Sequence, residues 1–317
     1  LREQGGESFV SLSPTSARAC NRTDLCAEGS DMCAKGSAMA YSTIYSCPEG
    51  YSTYNSCAFL LKKCAKMEDL TTGKQIHNLI FELSYVSSPQ VQNHVLHMYV
   101  KCGALMEARV VFDNMIDPGI SAYECILVAY SHHRQGRHGM IFLNEMQTKG
   151  MVPSKFVLVT LLSSLSKEDD DDCDDDDVLC VRFVHNFVEF CGYAHDVIVA
   201  TAIVDMYGKC GTINEARLVF DIMVDKNVIS WTSLITAYVQ QNQTQYAFCL
   251  FRRMEAESVA PNHFTISSIL SSLAGKNELN EGKRVHARVG FRPDLLLRTS
   301  ILSMYSRCGS LEDARNV

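Results

Sequence analysis

Residues 197–227 read VIVATAIVDMYGKCGTINEARLVFDIMVDKN, and the stretch recurs. Residues 89–119 read PQVQNHVLHMYVKCGALMEARVVFDNMIDPG, and the chain closes from residue 295 with LLLRTSILSMYSRCGSLEDARNV. All three copies hold Met-Tyr, then Lys/Arg-Cys-Gly, then Glu/Asp-Ala-Arg. Self-similarity at such a period marks a repeat architecture. Within a copy, Ile203, Val204, Met206 and Tyr207 form one apolar stripe at helical spacing. Gly211 falls where a first helix needs a left-handed residue to end it, a conformation glycine adopts without a Cβ penalty. Thr212 is placed to cap a second helix, with Glu215 three residues on to complete a capping box. Ala216, Val219, Phe220 and Met223 give the second stripe, and the small Ala216 lets the two helices approach closely. Such a hairpin cannot bury its apolar faces alone, so it must stack on neighbours into a quasi-linear solenoid with a long groove.

Working outward, the same kind of unit fills the chain from residue 54: 54–88, 89–119, 120–154, 155–196, 197–227, 228–262, 263–294 and a truncated 295–317. Three unit types alternate, and the two full copies of the opening stretch start 108 residues apart. LLKKCAKMEDLTTGKQIH in unit 54–88 matches NELNEGKRVH in unit 263–294. Pro153 and Pro261 each end a unit, where proline is expected to stop the second helix. Residues 1–53 carry no repeat; their Ser, Gly, Cys and Ala content and scattered acids predict a disordered leader or a mis-predicted N-terminus, not an Arg-rich transit peptide.

Composition agrees with a packed helical array. Hydrophobic residues make up 47% of the 317, enough for a continuous core. The longest apolar runs, such as Val157–Leu162, are far too short to span a membrane. Fourteen cysteines include no Cys-x-x-Cys pair. Cys102, Cys210 and Cys308 recur beside the helix-ending glycine, which fits buried reduced thiols better than bridges. The irregular cysteines from Cys20 to Cys64 have no accompanying histidine pattern for zinc. The net charge is −7, and one run dominates it: Glu168–Asp177 holds one Glu and eight Asp, and without those nine charges the balance is +2. The run lacks the glycine turn and ligand spacing of a calcium loop and reads as a solvated insertion between two helices. The rest of the chain is mildly basic, as a nucleic-acid groove permits.

MYGKCGTINEARLVFD, WTSLITAYV, PNHFTISSILSSL and GKRVHA resemble the pentatricopeptide repeat family, specifically the plant subclass whose long, short and standard repeats alternate. The resemblance runs from residue 54 to the end. It implies an all-α fold, a right-handed superhelical α-solenoid of helix-turn-helix repeats like the tetratricopeptide arrays. It also implies single-stranded RNA as the partner, read one base per repeat. The family works in mitochondria and chloroplasts, in editing, splicing, stability or translation of RNA. RNA editing or modification is the expected setting, with editing or processing factors as further partners and no membrane. The expected role is a specificity module that needs no cofactor and no metal.

The family reads bases with the fifth and last residues of a repeat. Carried onto this chain, these are Thr201 and Asn227 in unit 197–227, and Thr232 and Asn262 in unit 228–262. The Thr/Asn combination resembles the family's adenine-selecting pair, since a hydroxyl and an amide can each donate and accept at a base edge. Unit 89–119 places Asn93 and Gly119 there, and unit 120–154 places Glu124 and Ser154, neither a standard pair. Ser267 and Asp294 look like a guanine pair in a shortened long-type unit, and Thr299 opens a pair whose partner lies past residue 317. The family's second position packs an apolar side chain on the base, which here gives Ile198, Ile229 and Leu296. Thr and Asn at repeat ends are also ordinary cap residues, and Ile in a helix is ordinarily core; the repeat frame favours the base-contacting roles.

No catalytic constellation is present in the sequence. His77, His185 and His286 recur in the long units after Ile or Val, which argues for packing or a local hydrogen bond and not for a metal. A zinc deaminase needs His-x-Glu followed by Pro-Cys-x-x-Cys, and neither occurs. Many relatives with this alternating pattern carry a deaminase-like extension beyond their repeats. The competing expectation is a tetratricopeptide-like scaffold whose groove holds a peptide. Unit 228–262, with 35 residues, fits the RNA-reading family better than the 34-residue scaffold repeat.

Overall fold

The computed structural model describes residues 53–82, 88–165, 175–273, 278–289 and 295–317. Among them are sixteen α-helices and no strand. In chain order these are α1 (Thr53–Met67), α2 (Leu70–Glu82), α3 (Pro89–Lys101), α4 (Leu105–Asp113), α5 (Ile120–His132), α6 (Gly136–Thr148), α7 (Lys155–Leu165) and α8 (Asp175–Phe190). They continue as α9 (Val197–Lys209), α10 (Ile213–Ile222), α11 (Val228–Gln240), α12 (Thr244–Ala256), α13 (His263–Ser272), α14 (Leu279–Val289), α15 (Leu295–Arg307) and α16 (Leu311–Arg315). The leader and most of the acidic run lie outside the described residues, as does Asp294.

Each odd-numbered helix turns back into the next even-numbered one. Gly103, Gly211 and Gly309 make that turn with φ of 70°, 73° and 73°. In each case the next residue's amide reaches back to a tyrosine carbonyl five residues earlier: Ala104 to Tyr99, Thr212 to Tyr207, Ser310 to Tyr305. This closure satisfies carbonyls that a helix end leaves open. The same closure recurs without glycine at Arg134 and Asn242, with φ of 54° and 55°.

Two local expectations fail. Thr212 makes no cap bond to the second helix. Its ψ of 66° is not extended, and its hydroxyl instead donates to the Tyr207 carbonyl at 3.1 Å. Glu215 is correspondingly free to accept from Arg182 at 2.8 Å. The prolines also do not stop the second helices. α6 ends at Thr148 and α12 at Ala256, and Gly150 and Ser258 (φ 66° and 61°) have already turned the chain before Pro153 and Pro261 are reached.

The odd-numbered helices pack directly on one another from α1 through α15, forming one continuous layer. The even-numbered helices rest on that layer; of these, only α6 and α8 meet appreciably. Close contact on one side and splay on the other curves the array, with the odd-numbered helices inside. The apolar stripes close between the layers: Leu61, Leu96, Tyr123, Ile126, Leu143, Phe187, Phe220 and Trp231 are all fully buried. Gly208 lets α9 and α11 touch, since a Cβ there would sit 2.7 Å from the Ala237 Cβ.

The outer helices are linked by charge. Lys74 reaches Glu107 at 2.6 Å, Arg182 reaches Glu215 at 2.8 Å and Lys283 reaches Asp313 at 2.7 Å, at the same place in successive long units. Such exposed pairs each contribute only about 0–1 kcal/mol. The end of the acidic run is not an insertion: Asp175, Asp176 and Asp177 form the first turn of α8, and Asp177 is buried against Arg137 at 2.6 Å.

Candidate nucleic-acid interface

The inner faces of the odd-numbered helices line the groove. Near the start of these helices stands a row of exposed apolar side chains: Phe156 (67% exposed), Ile198 (58%), Ile229 (62%), Phe264 (58%) and Leu296 (49%). Ile198, Ile229 and Leu296 are the residues placed there from the sequence. Phe156 and Phe264 were missed, because an aromatic at helical spacing reads as core until the register of the neighbouring helix is known. Leaving five large apolar groups in water at one structural position has a cost that their burial elsewhere would remove.

The fifth and last residues of two units come together. In unit 228–262 the Thr232 hydroxyl lies 2.6 Å from the Thr265 hydroxyl, and Thr265 Oγ1 donates to Asn262 Oδ1 at 2.9 Å. Thr265 thus bridges the pair. Asn262 Oδ1 also accepts from the Thr265 amide at 2.9 Å, capping α13. In unit 120–154 the Glu124 carboxylate accepts from the Ser154 amide at 2.6 Å.

Unit 197–227 differs. Asn227 caps α11 by accepting from the Ser230 amide at 2.9 Å, and Ser230 Oγ turns back to the Asn227 backbone. Ser230 holds the place that Thr265 holds in the next unit, but its hydroxyl is used within the cap. Thr201 is left 7% exposed, with its hydroxyl buried and without a hydrogen-bond partner. The side chain placed from the sequence as a base reader therefore faces into the packing in this arrangement. An unmade hydrogen bond of this kind costs about 1–3 kcal/mol.

The remaining positions are mixed. Asn93 is half-buried, and Gly119 is exposed at the start of α5. Ser267 Oγ lies 2.8 Å from Ser300 Oγ on the next inner helix. Thr299 is exposed and donates to the Leu296 carbonyl at 2.8 Å. A further hydroxyl pair, Thr236 with Ser268 at 3.0 Å, ties α11 to α13.

The three recurring histidines are structural. His77 meets the Tyr99 hydroxyl at 2.9 Å, His185 meets Tyr207 at 3.2 Å and His286 meets Tyr305 at 2.9 Å, each ring set edge-on to its tyrosine. Burial lowers the pKa of His77 and His185 and pushes Tyr99 and Tyr207 up to about 12. The His77–Tyr99 and His185–Tyr207 pairs are therefore neutral hydrogen bonds, and all three pairs join a long unit to the unit after it. The repeated thiols Cys102 and Cys210 are half-buried and Cys308 buried, and none of the three is in a disulfide. No described helix is long and apolar enough to cross a membrane.

Comparisons with known proteins agree with this architecture. Residues 93–120 and 198–228 match the model of the PPR repeat, and residues 226–275 that of the PPR repeat family. Among curated relatives, the chain is 30% identical over 261 residues to "Pentatricopeptide repeat-containing protein At3g24000, mitochondrial" of Arabidopsis thaliana, covering 81% of this chain and 40% of the relative. It is 29% identical over 262 residues to "Pentatricopeptide repeat-containing protein At1g11290, chloroplastic" of the same plant, covering 82% and 32%. The chain thus spans well under half the length of these relatives. Among solved structures it resembles the pentatricopeptide repeat protein PPR10 from maize, with a TM-score of 0.67 at 20% identity over 84% of this chain and 38% of that one. PPR10 in complex with an 18-nt psaJ RNA element superposes with a TM-score of 0.57, at 20% identity and over 84% and 40% of the two chains.

Proposed function

Since this chain carries repeats of the pentatricopeptide repeat family, we propose that its groove binds single-stranded RNA with base selectivity and performs no catalysis itself. The observation that carries this is the geometry of unit 228–262, where Thr232 and Asn262 are joined through Thr265 with Ile229 standing exposed on the same helix. A hydroxyl, an amide and an apolar surface in one place are what a single base requires: two edge contacts and a face to pack on. Stacking of this type contributes roughly 1–3 kcal/mol per base on aromatic side chains, the range relevant to Phe156 and Phe264, and less on aliphatic ones. A base edge at Thr232 takes over the bond that Thr265 now makes, and Thr201 meets a base only once its enclosed hydroxyl turns out of the packing.

The alternating unit types support a reading of the chain as one of the plant subclass with long, short and standard repeats. The setting that follows is editing or other modification of RNA in mitochondria or chloroplasts, with separate processing factors recruited by the bound array. The complex of PPR10 with RNA and the organelle names of the relatives support this reading.

The test uses the full chain and short single-stranded RNAs that differ at two adjacent bases. Binding is followed by fluorescence anisotropy. Adenines at the two sites facing units 197–227 and 228–262 should be preferred. Replacing both Thr201 and Thr232 by Asn should move that preference toward pyrimidines, with a change of about 1–3 kcal/mol per discriminated base. An unchanged preference discards the residue assignment. Failure to bind any of the RNAs rejects the function and favours a peptide in the groove.

A further inference from the structure

The two ends of the inner layer carry different chemistry. On α3 the groove-side stripe is Gln90, Asn93, His94, His97 and Lys101, and on α1 it is Phe59, Lys62 and Lys66. His97, Lys62, Lys66 and Lys101 are exposed, and His94 is half-buried. The Lys62 charge acts on both histidines and the Lys101 charge on His97, so these four groups form one patch across α1 and α3. Five lysines elsewhere are neutralised: Lys74, Lys149, Lys155, Lys209 and Lys283 each sit within 3.0 Å of a carboxylate. Among the described residues, Lys62, Lys66 and Lys101 form no such pair.

The carboxylates on neighbouring helices are committed elsewhere. Glu107 on α4 is held by Lys74, and Glu124 on α5 accepts from the Ser154 amide. Asp69, in the turn after α1, is bonded to Thr72; Glu68 beside it is exposed, and its charge acts on Cys102 and not on either histidine. From α2, His77 is occupied by Tyr99 and Lys74 by Glu107. The charges acting on His94 and His97 are thus all positive. Packing around the rings, and then the neighbouring cations, lower the pKa of both. At neutral pH the patch holds two neutral imidazoles between lysines. A polyanion laid across it reverses the local field and favours imidazolium.

We propose that the Lys62–His94–His97–Lys101 patch binds the phosphates of single-stranded RNA without reading its bases, and takes up protons as it does so. The inference rests on the RNA-binding function proposed above. It assigns the N-terminal end of the groove, where Asn93 with Gly119 makes no standard base-reading pair, to holding the backbone. Charge complementarity selects a polyanion, and the run of the groove past α5 to α15 selects a linear one.

The test is affinity of the full chain for a 12-nucleotide single-stranded RNA at pH 7.5 and pH 5.8, each at several salt concentrations. Uptake of up to two protons should tighten binding by roughly tenfold across this range and steepen the salt dependence by about one unit of log–log slope. The double variant His94→Gln/His97→Gln should lose the tightening between pH 7.5 and pH 5.8, its affinity changing by less than about twofold across that range. Lys62→Gln should move the pH midpoint upward, since it removes a charge opposing protonation, while weakening binding to every sequence alike. Circular dichroism at both pH values checks that each variant keeps its helices. The proposal is overturned if the double variant retains the pH response, or if RNA binds equally at both pH values. Equally tight, equally pH-dependent binding of poly-aspartate overturns it in favour of an acidic protein partner. Base-selective binding with no pH response sinks this inference alone, whereas no binding at any pH removes the proposed function with it.

Discussion

The central reach of the array, α9 to α13, and its N-terminal reach, α1 to α5, share backbone geometry and differ in what they show the groove. In the centre, the level of His97 and Lys101 is taken by Asp205 and Lys209, which pair with each other at 2.9 Å on one helix. The surface there is apolar residues and hydroxyls, and hydroxyl pairs bind one inner helix to the next. At the N-terminal end the corresponding cations form no ion pair among the described residues, and His94, His97 and Lys101 stand where the centre has Ala202, Asp205 and Lys209. The difference teaches that in such an array the buried stripes set spacing alone. The ligand chemistry is written on the few exposed positions of each inner helix, and can change from unit to unit at no cost to the stack.

The largest effect should come from breaking the central reach. Trp231 is fully buried, edge-on to Phe220 at 4.7 Å between centroids, with the Arg253 guanidinium 5.5 Å from its ring centre. Trp231→Ala should cost about 3–5 kcal/mol. Because each unit contacts only its neighbours, the loss should stay local. Urea denaturation should therefore split into two transitions, with hydrogen exchange showing α10 to α12 open first and α3 to α5 still protected. A single, uniformly weakened transition would contradict nearest-neighbour organisation.

A middle-sized effect tests the N-terminal end. A Cβ on Gly73 would overlap the sulfur of Met98, which is fully buried, so the thioether must shift within the packing. Gly282 faces Met304 in the same way. The intermediate long unit has Val181 at this place, fully buried. Gly73→Val should cost about 1–3 kcal/mol by overpacking, read as a lower urea midpoint. Val181→Gly should also destabilise, by leaving a void. If Gly73→Val is neutral, the close approach of α2 and α3 does not matter for stability.

The smallest effect sharpens the contrast between adjacent central units. A double-mutant cycle on Thr232→Val and Thr265→Val should give a coupling of about 0.5–1.5 kcal/mol in thermal or urea unfolding. The same cycle on Thr201→Val and Ser230→Ala should give none, since Ser230 is spent on its own cap and Thr201 has no partner. Thr201→Val alone should be neutral or stabilising without RNA. Equal coupling in both units would mean that the two hydroxyls at position five are equivalent.

Much of this fold was legible in the sequence because it rests on period. Gly211 announced a left-handed turn, and Ile203, Val204, Met206 and Tyr207 announced a buried stripe. Both follow from local sterics and spacing. The face of each inner helix turned to the groove was harder to read. Ile198 and Val199 are adjacent and both apolar, yet one is exposed and the other fully buried. Only the register against the next helix decides between them. Thr201 and Thr232 occupy the same repeat position, yet their hydroxyls differ because Thr265 reaches Thr232 as well as its own cap, whereas Ser230 stays within its cap. Thr212 looked like a cap by residue type, but the left-handed Gly211 before it carries its hydroxyl back to Tyr207. The C-terminal three acids of the Asp run became helix because a buried carboxylate opposite Arg137 and a favourable helix N-terminus outweigh their mutual repulsion.

The direct packing of the inner helices, with outer helices joined to one another chiefly by exposed ion pairs, makes the molecule a strip with one stiff edge and one soft edge. Bending that closes the groove compresses atoms already in contact, whereas bending that opens the convex side only stretches solvent-screened charges. Drawn out from its two ends, such a strip lengthens by untwisting about its inner edge, and its stretch per unit then sets how far apart successive bound nucleotides stand.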